Sequence, residues 1–523
     1  MNNKMSRRDA LKLGRDAAVT AAVAPLLTSD GVPTHAAESS PDICFMRAVD
    51  MAKLIREKKL SAREVMQAHL KQIGRVNSKV NAIVTLVAEE QLMAQAAAAD
   101  ESLAHGKVLG PLHGMPVGVK DLHETAGIRT TYGSPLHRDL VPDFDCRVVQ
   151  RERAAGGIVI GKTNVPEFGL GSQTFNPVFG ATLNPYDVTK TCGGSTGGGA
   201  VAIACGMVPL ADGSDMGGSL RNPPNFCNVV GIRTSPGRVP NVPTNLGWFT
   251  LSVPGPVARN VTDCAFFLSV LAGFDHHSPI SIDQSGEQFG RPLERNFKGV
   301  RVAMFKDMGL PWDPEVKSAV KAQGKVFESL GCIVEEAEPD FTDANECFVA
   351  WRHWSTELAF GDLLDSDGRS RKAGHGDQLN EYIHWHVEEG RKLTGPYLAR
   401  VEAKRTALFQ RLCGFKNEFD YFVLPVNQVL PFDVNMHYPT EIAGTKMENY
   451  IAWMKSAYYI SAAGNPAMSV PCAFSRSGLP IGLQIVGRHH DDWGVLQLGY
   501  AFEQATNAGP SKIGVNNRRP GVV

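Results

Sequence analysis

Apolar residues recur at helical spacing in "SAREVMQAHLKQIGRV", where Met66, Leu70 and Ile73 fall on one face. Ser61 and Glu64 stand where a capping box would start that helix. A second, alanine-rich helix is predicted from Glu89 to Ala99. Elsewhere the apolar positions are contiguous and short, which is the pattern of buried strands. One such run, Met115 to Val119, delivers Lys120 at its end, and "RVVQRERAAGGIVIGKTN" reads as helix, Gly156-Gly157 turn and strand from Ile158 to Gly161. The alternation continues through "KGVRVAMFKD" and "FDYFVLPVNQ". "NPAMSVPCAFSRSGLPIGLQIVGR" is strand, turn, strand, punctuated at Gly478-Leu479-Pro480. Helices alternating with buried strands predict an α/β fold.

No stretch reads as a linker, so a single large domain is expected over residues 43–510, with a tail at 511–523. The segment from Asp275 to Tyr438 is richer in Trp, His and charge than its flanks and is expected to be helical cover over the sheet. Residues 1–36 have a different character: a basic start, an Ala/Val/Leu stretch from Ala17 to Leu27, then small and polar residues. That order matches an export signal, with Thr34-His35-Ala36 as the cleavage site. Ser6-Arg7-Arg8-Asp9-Ala10-Leu11-Lys12 resembles a twin-arginine signal, with Ala10 where phenylalanine is usual. The expected location is therefore the periplasm; the alternative is a basic tail on a cytoplasmic protein. The apolar stretch is shorter than the ~20 residues a membrane span needs.

Composition narrows the class of partner. A net charge of -1 over 523 residues argues against a nucleic-acid partner, for which a basic stripe would be the expected footprint. Ten cysteines without a C-x-x-C pair argue against zinc-ribbon or thioredoxin chemistry, and they read as buried apolar side chains outside any structural disulfide. His384 and His386 lie two apart on a predicted helix and so face away from each other, which is poor geometry for a metal. His489-His490 reads as a solvated loop; Trp351, Trp354, Tyr382 and Trp385 read as core packing first and pocket lining second.

The chemistry concentrates in "CGGSTGGGAVAIACG" and "DGSDMGGSLR", two glycine clusters that each expose a small hydroxyl residue. Such clusters serve either as an anion cradle or as a nucleophile with its oxyanion hole. A P-loop would need a lysine after the glycines, and none is there; the G-x-S-x-G elbow is also missing around Ser219. Lys120, ending an apolar strand, is a candidate base because desolvation favours the neutral amine. Taken alone, it could equally pair with Asp121 or another acid at the surface.

Three segments together resemble the amidase signature family: "GMPVGVKD", "GGSTGGGAVAIACG" and "DGSDMGGSLRNPPNFCNVVGIRTSPGRVP". The likeness extends through "LGPLHG", "GKTNVPEFG", "GPVARNVTD" and "SVPCAFSRSGLPIGLQIVG". The resemblance implies a mixed central β-sheet with helices on both faces and a Ser-Ser-Lys triad. In that triad Ser219 is the nucleophile, Ser195 the proton bridge and Lys120 the base. It implies a cis peptide at Gly194–Ser195 and an oxyanion hole from the N–H groups of Met216, Gly217, Gly218 and Ser219. Asp215 and Arg221 would brace the nucleophile loop, beside Thr196. No cofactor and no metal is implied. Thr196 stands where serine is commonest, Cys192 where proline is frequent, Ser214 in place of threonine, and Met216 in place of isoleucine or threonine.

The expected function is hydrolysis of a small or aryl amide through an acyl-enzyme. Carbamate, ester or cyclic-amide hydrolysis on the same triad is the alternative. The family also includes one component of the tRNA-dependent amidotransferase, which needs cytoplasmic partners that an export signal disfavours. A catalytically dead binding protein is disfavoured by the intact triad. The expected partner is a small-molecule amide, with no nucleic acid and no stable membrane insertion; a homodimer is left open.

Overall fold

A computed structural model describes residues 41–364, 378–507 and 518–523. The export-signal resemblance at residues 1–36 and part of the 511–523 tail lie outside the described residues. Among the described residues, eleven strands form one sheet. They are β1 (Ile83–Leu86), β2 (Pro116–Lys120), β3 (Ile158–Thr163), β4 (Leu210–Asp215), β5 (Val230–Arg233), β6 (Val253–Ala258), β7 (Arg301–Met304), β8 (Ile333–Glu336), β9 (Tyr421–Pro425), β10 (Ala467–Phe474) and β11 (Pro480–Val486). The helices that bear on the site and its supports are α1 (Ala62–Val80), α2 (Glu89–Ala104), α3 (Arg147–Ala154), α4 (Gly197–Ala204), α5 (Val261–Leu271), α6 (Ala344–Phe360), α7 (Glu381–Arg391), α8 (Gly395–Glu418), α9 (Lys455–Ala463) and α10 (Asp492–Asn507).

The sheet runs β1-β3-β2-β4-β6-β5-β10-β11-β9-β7-β8. Strands β3, β2 and β4 are mutually parallel neighbours, as are β9, β7 and β8 at the far edge. Every pairing between β4 and β9 is antiparallel. Both faces are covered. Val159 belongs to the apolar cluster that includes α3, α5 and α10, whereas its neighbours Ile158 and Ile160 belong to the one that includes α1, α2 and α4. That is the alternation of a strand buried on both sides.

Helix α1 opens on the expected capping box: Ser61 Oγ accepts from the Glu64 N–H, and Glu64 reaches back to the Ser61 N–H. Helix α2 runs five residues beyond the predicted Ala99, and β2 begins at Pro116 and takes in Lys120 itself. The 275–438 segment differs from expectation. It supplies helices α6, α7 and α8, but also the edge strands β7, β8 and β9, so it is both cover and sheet. No helix among the described residues is long and apolar enough to cross a membrane. All ten cysteines are unpaired, and all but Cys413 are buried.

A third apolar cluster sits apart from those two. It gathers Phe348 of α6, Tyr382 of α7, Leu408 and Leu412 of α8 and Tyr458 of α9 around Met216, beside the carboxyl ends of β2 and β4. Ligands of α/β sheets bind outside the carboxyl ends of parallel strands.

Candidate active site

Lys120 is the last residue of β2, and its side chain is fully buried. Its Nζ lies 2.9 Å from Ser195 Oγ, 2.9 Å from Thr196 Oγ1 and 3.1 Å from Ser214 Oγ. Its backbone N–H donates to Asp212 Oδ1 at 2.6 Å, and Asp212 Oδ2 lies 2.9 Å from His123 Nδ1. Burial lowers the Lys120 ammonium to about 7, against the opposing pull of Asp212 and Asp215. A pairing with Asp121 does not form; that carboxylate accepts the Thr131 hydroxyl at 2.6 Å instead. All the close neighbours of the amine are neutral oxygens, the surroundings that let a lysine lose its proton near neutrality.

Ser195 and Thr196 immediately precede α4, and the Gly194–Ser195 peptide is cis. The glycines that follow permit a backbone-to-backbone contact. A Cβ on Gly198 would lie 2.1 Å from the Asn164 N and 2.6 Å from the Ala82 O, neither of which can rotate away. Gly74, inside α1, has nothing within 4 Å of that position. Gly198→Ala should therefore destabilise by ~1–3 kcal/mol and lower amide turnover by shifting Ser195. Gly74→Ala should stabilise by up to ~1 kcal/mol with activity unchanged. Paired thermal melts and initial rates check both; equal melts for the two variants would refute the close-packing account.

Ser219 lies four residues after β4, on a loop tied down by Asp215. The Asp215 carboxylate accepts from Arg221 Nε and Nη2 at 3.0 and 3.1 Å, from Arg233 Nη1 at 3.1 Å, and from the Leu220 N–H at 3.0 Å. Burial alone would raise this carboxyl; the Arg221 and Arg233 guanidiniums outweigh it and hold the group at about 2. Gly218 departs from the expected oxyanion set. At φ +129 it turns its N–H onto Asp215 Oδ1, 2.9 Å away, so that group braces the loop. The N–H groups of Met216, Gly217 and Ser219 have no acceptor among the described residues. Ser219 is half-buried, and its hydroxyl makes no hydrogen bond among the described residues. Lys120, Ser195 and Thr196 are thus in direct contact, while Ser219 stands on the adjoining loop with its hydroxyl uncommitted.

The family model for Amidase matches residues 64–496. The chain belongs to the amidase family. It is 34% identical over 483 residues to a Glutamyl-tRNA(Gln) amidotransferase component from Alkaliphilus metalliredigens (strain QYMF), covering 88% of this chain and 96% of that one. It is 34% identical over 466 residues to an acylamidase of Rhodococcus erythropolis, covering 88% and 95%. Among solved structures it is similar to a bacterial aryl acylamidase of the amidase signature enzymes, with a TM-score of 0.83, 26% identity, and 91% and 99% of the two chains covered. It is an amide-hydrolysing enzyme with the amidase α/β fold.

Around the shared amidase centre, the third apolar cluster builds a wall that sequence reasoning left without motifs. A Cβ on Gly217 would lie 2.9 Å from the Phe348 ring and 3.6 Å from the Met454 methyl, so both side chains press on the glycine loop. Tyr382 stacks on Tyr450 with ring centroids 3.9 Å apart, and Trp385 meets the same ring edge-on. Those two pack as core. Trp351 and Trp354 instead line, with Trp248 and Phe249, a cavity of about 400 Å³. His386 is buried against Arg352, His353 and Tyr450, and His489 and His490 sit in an exposed turn after β11. Asp212 and Arg233 were missed, although Asp212 lies in the quoted "DGSD", and Ser214 was noted only as a replacement for threonine, without its contact to Lys120. Period-two alternation along β4 puts Asp212 and Ser214 on one side, both touching Lys120, and that alternation could have found them.

Proposed function

We propose that this amidase hydrolyses small or aryl amides through a Ser219 acyl-enzyme. The observation that carries the reading is the fully buried Lys120 amine, 2.9 Å from Ser195 Oγ, which burial pushes toward its neutral form. Ser219 Oγ attacks the carbonyl carbon and passes its proton to Ser195, whose own proton goes to the neutral Lys120 amine. The oxyanion of the tetrahedral adduct accepts the N–H groups of Met216, Gly217 and Ser219. Collapse breaks the C–N bond as the proton returns through Ser195 to the departing nitrogen. Water then attacks the ester by the same relay, releasing acid and restoring the Ser219 hydroxyl and the neutral amine. Rotation of the uncommitted Ser219 hydroxyl toward Ser195 completes the chain; such contacts often tighten only with substrate bound. Carbamate, ester and cyclic-amide hydrolysis would use the same groups.

Residues 1–36 as a twin-arginine export signal would place the domain, residues 43–510, in the periplasm. The amidotransferase relatives favour a second reading, one component of a tRNA-dependent amidotransferase that works with partner chains. The purified chain alone, without tRNA or partners, should cleave an anilide under the first reading. Ser195→Ala then tests the relay. An amine leaves only when a proton reaches its nitrogen, whereas nitrophenolate leaves without one. The loss in kcat/KM on the anilide should exceed that on a matched nitrophenyl ester by a visible part of ~10²–10⁴-fold. Equal losses would remove Ser195 as the proton bridge.

A further inference from the structure

On α6, Phe348 and Arg352 are one turn apart and share a face. Phe348 presses on Gly217, and Arg352 Nη1 lies 3.3 Å from Met216 Sδ, so both side chains pack against the loop that carries Ser219. Arg352 is 4% exposed. Its Nε donates to His386 Nε2 at 3.0 Å and its Nη2 to the Tyr450 hydroxyl at 2.8 Å. Arginine only donates, so His386 Nε2 must carry a lone pair, and its proton sits on Nδ1, 2.8 Å from His353 Nδ1. Burial keeps both imidazoles neutral, with His353 lowered to about 4 and His386 well below its ordinary value.

None of these partners is anionic, and no carboxylate pairs with Arg352 among the described residues. The contrast with other buried arginines is direct. Arg221 and Arg233 hold Asp215, and Arg238 holds Asp492. Arg259 and Arg405, which also have neutral partners, are only half-buried; they donate to backbone carbonyls and, for Arg405, to the Thr250 hydroxyl. Among the described residues, Arg352 Nη1 has only a thioether, a weak acceptor for a strong donor. A buried guanidinium with neutral partners is costly unless an anion arrives, and this one lies against the loop that carries Ser219.

We propose that Arg352 selects amides that carry a free carboxylate close to the scissile bond. The carboxylate takes the place of Met216 Sδ at Nη1 and forms a charge-assisted pair that a neutral amide cannot make. This rests on the Ser219 reading above. The test measures how well small ligands protect Ser219 from a fluorophosphonate probe. Malonamate, succinamate and glutaramate are compared with the isosteric neutral diamides malonamide, succinamide and glutaramide. In the wild type at least one carboxylate ligand should protect at tenfold lower concentration than its diamide. Arg352→Gln should erase that gap and leave diamide protection within about threefold, and Arg352→Lys should restore part of it. Equal protection in the wild type, or a gap that survives in Arg352→Gln, overturns the proposal while Ser219 labelling stands. Absence of labelling in the wild type removes the nucleophile and the proposal together. If Arg352→Gln fails to fold, the wild-type gap and its retention in Arg352→Lys decide.

Discussion

Ser219→Ala is expected to lower kcat on an amide by about 10⁴-fold or more, the scale seen when a serine nucleophile is removed. Fold stability should change by no more than ~0.5 kcal/mol, the range of substitutions that break no buried contact. The reason is in the geometry: the Ser219 side chain is half-buried and its hydroxyl makes no hydrogen bond among the described residues. The loop is held by Asp215 through Leu220, Gly218 and two arginines, none of which needs the hydroxyl. Activity on a purified, monodisperse variant, read beside a thermal melt, makes the check. A variant retaining more than a few per cent of wild-type turnover would remove Ser219 as nucleophile. An unchanged melt with lost turnover is the expected pair.

Lys120→Met is expected to cost nearly as much activity, about 10³–10⁴-fold, since it removes the terminal proton acceptor while keeping most of the side-chain volume. In the wild type, kcat/KM should rise with pH through about 7 as the ammonium loses its proton, then level off. The same shift has a stability consequence of definite sign. Between about 7 and the unfolded value of 10.5 the unfolded chain binds the proton and the folded chain does not. This residue therefore makes stability rise with pH across that window, and its penalty is full below it. The methionine variant has no such penalty. Its melting temperature relative to wild type should be most favourable at about pH 6 and should fall as pH rises to about 9. A relative melting temperature independent of pH, or a flat rate profile for the wild type, would show that Lys120 does not titrate as a buried amine.

The parts of the molecule that could be read from the chain are those where local pattern and tertiary role agree. Helix α1 announces itself by its capping box and apolar face, and β2 by an unbroken apolar run that ends on Lys120. Strand β6 shows the opposite case: "VPGPVA" carries two prolines, a composition that argues against a central strand, yet it pairs on both sides with β4 and β5. Strand β8, "IVEE", is short and largely exposed, so nothing in its pattern separates it from a loop. The triad region was legible because close backbone approach demands glycine, and glycine runs are rare enough to see. The Gly218 N–H is the exception in the oxyanion set: the motif places four donors on one loop but does not say which of them Asp215 will claim. The wall of Phe348, Arg352 and Tyr450 was illegible because Tyr450 lies far along the chain from α6 and meets its two side chains only in the folded chain.

That separation along the chain has an evolutionary side. The groups assigned to bond cleavage, with those that brace them, all lie between Lys120 and Arg233, on three strands of the sheet, the loop after β4 and the turn before α4. The side chains that press on them from outside arrive from residues 344–463, on helices joined to the sheet through its far edge. Drift in the second set can therefore redraw what is admitted without disturbing the first. A lineage could pass from one acyl group to another through single substitutions on one face of α6, each tested by selection while cleavage continued. A fold divided in this way diversifies by inheritance of its machinery and revision of its door.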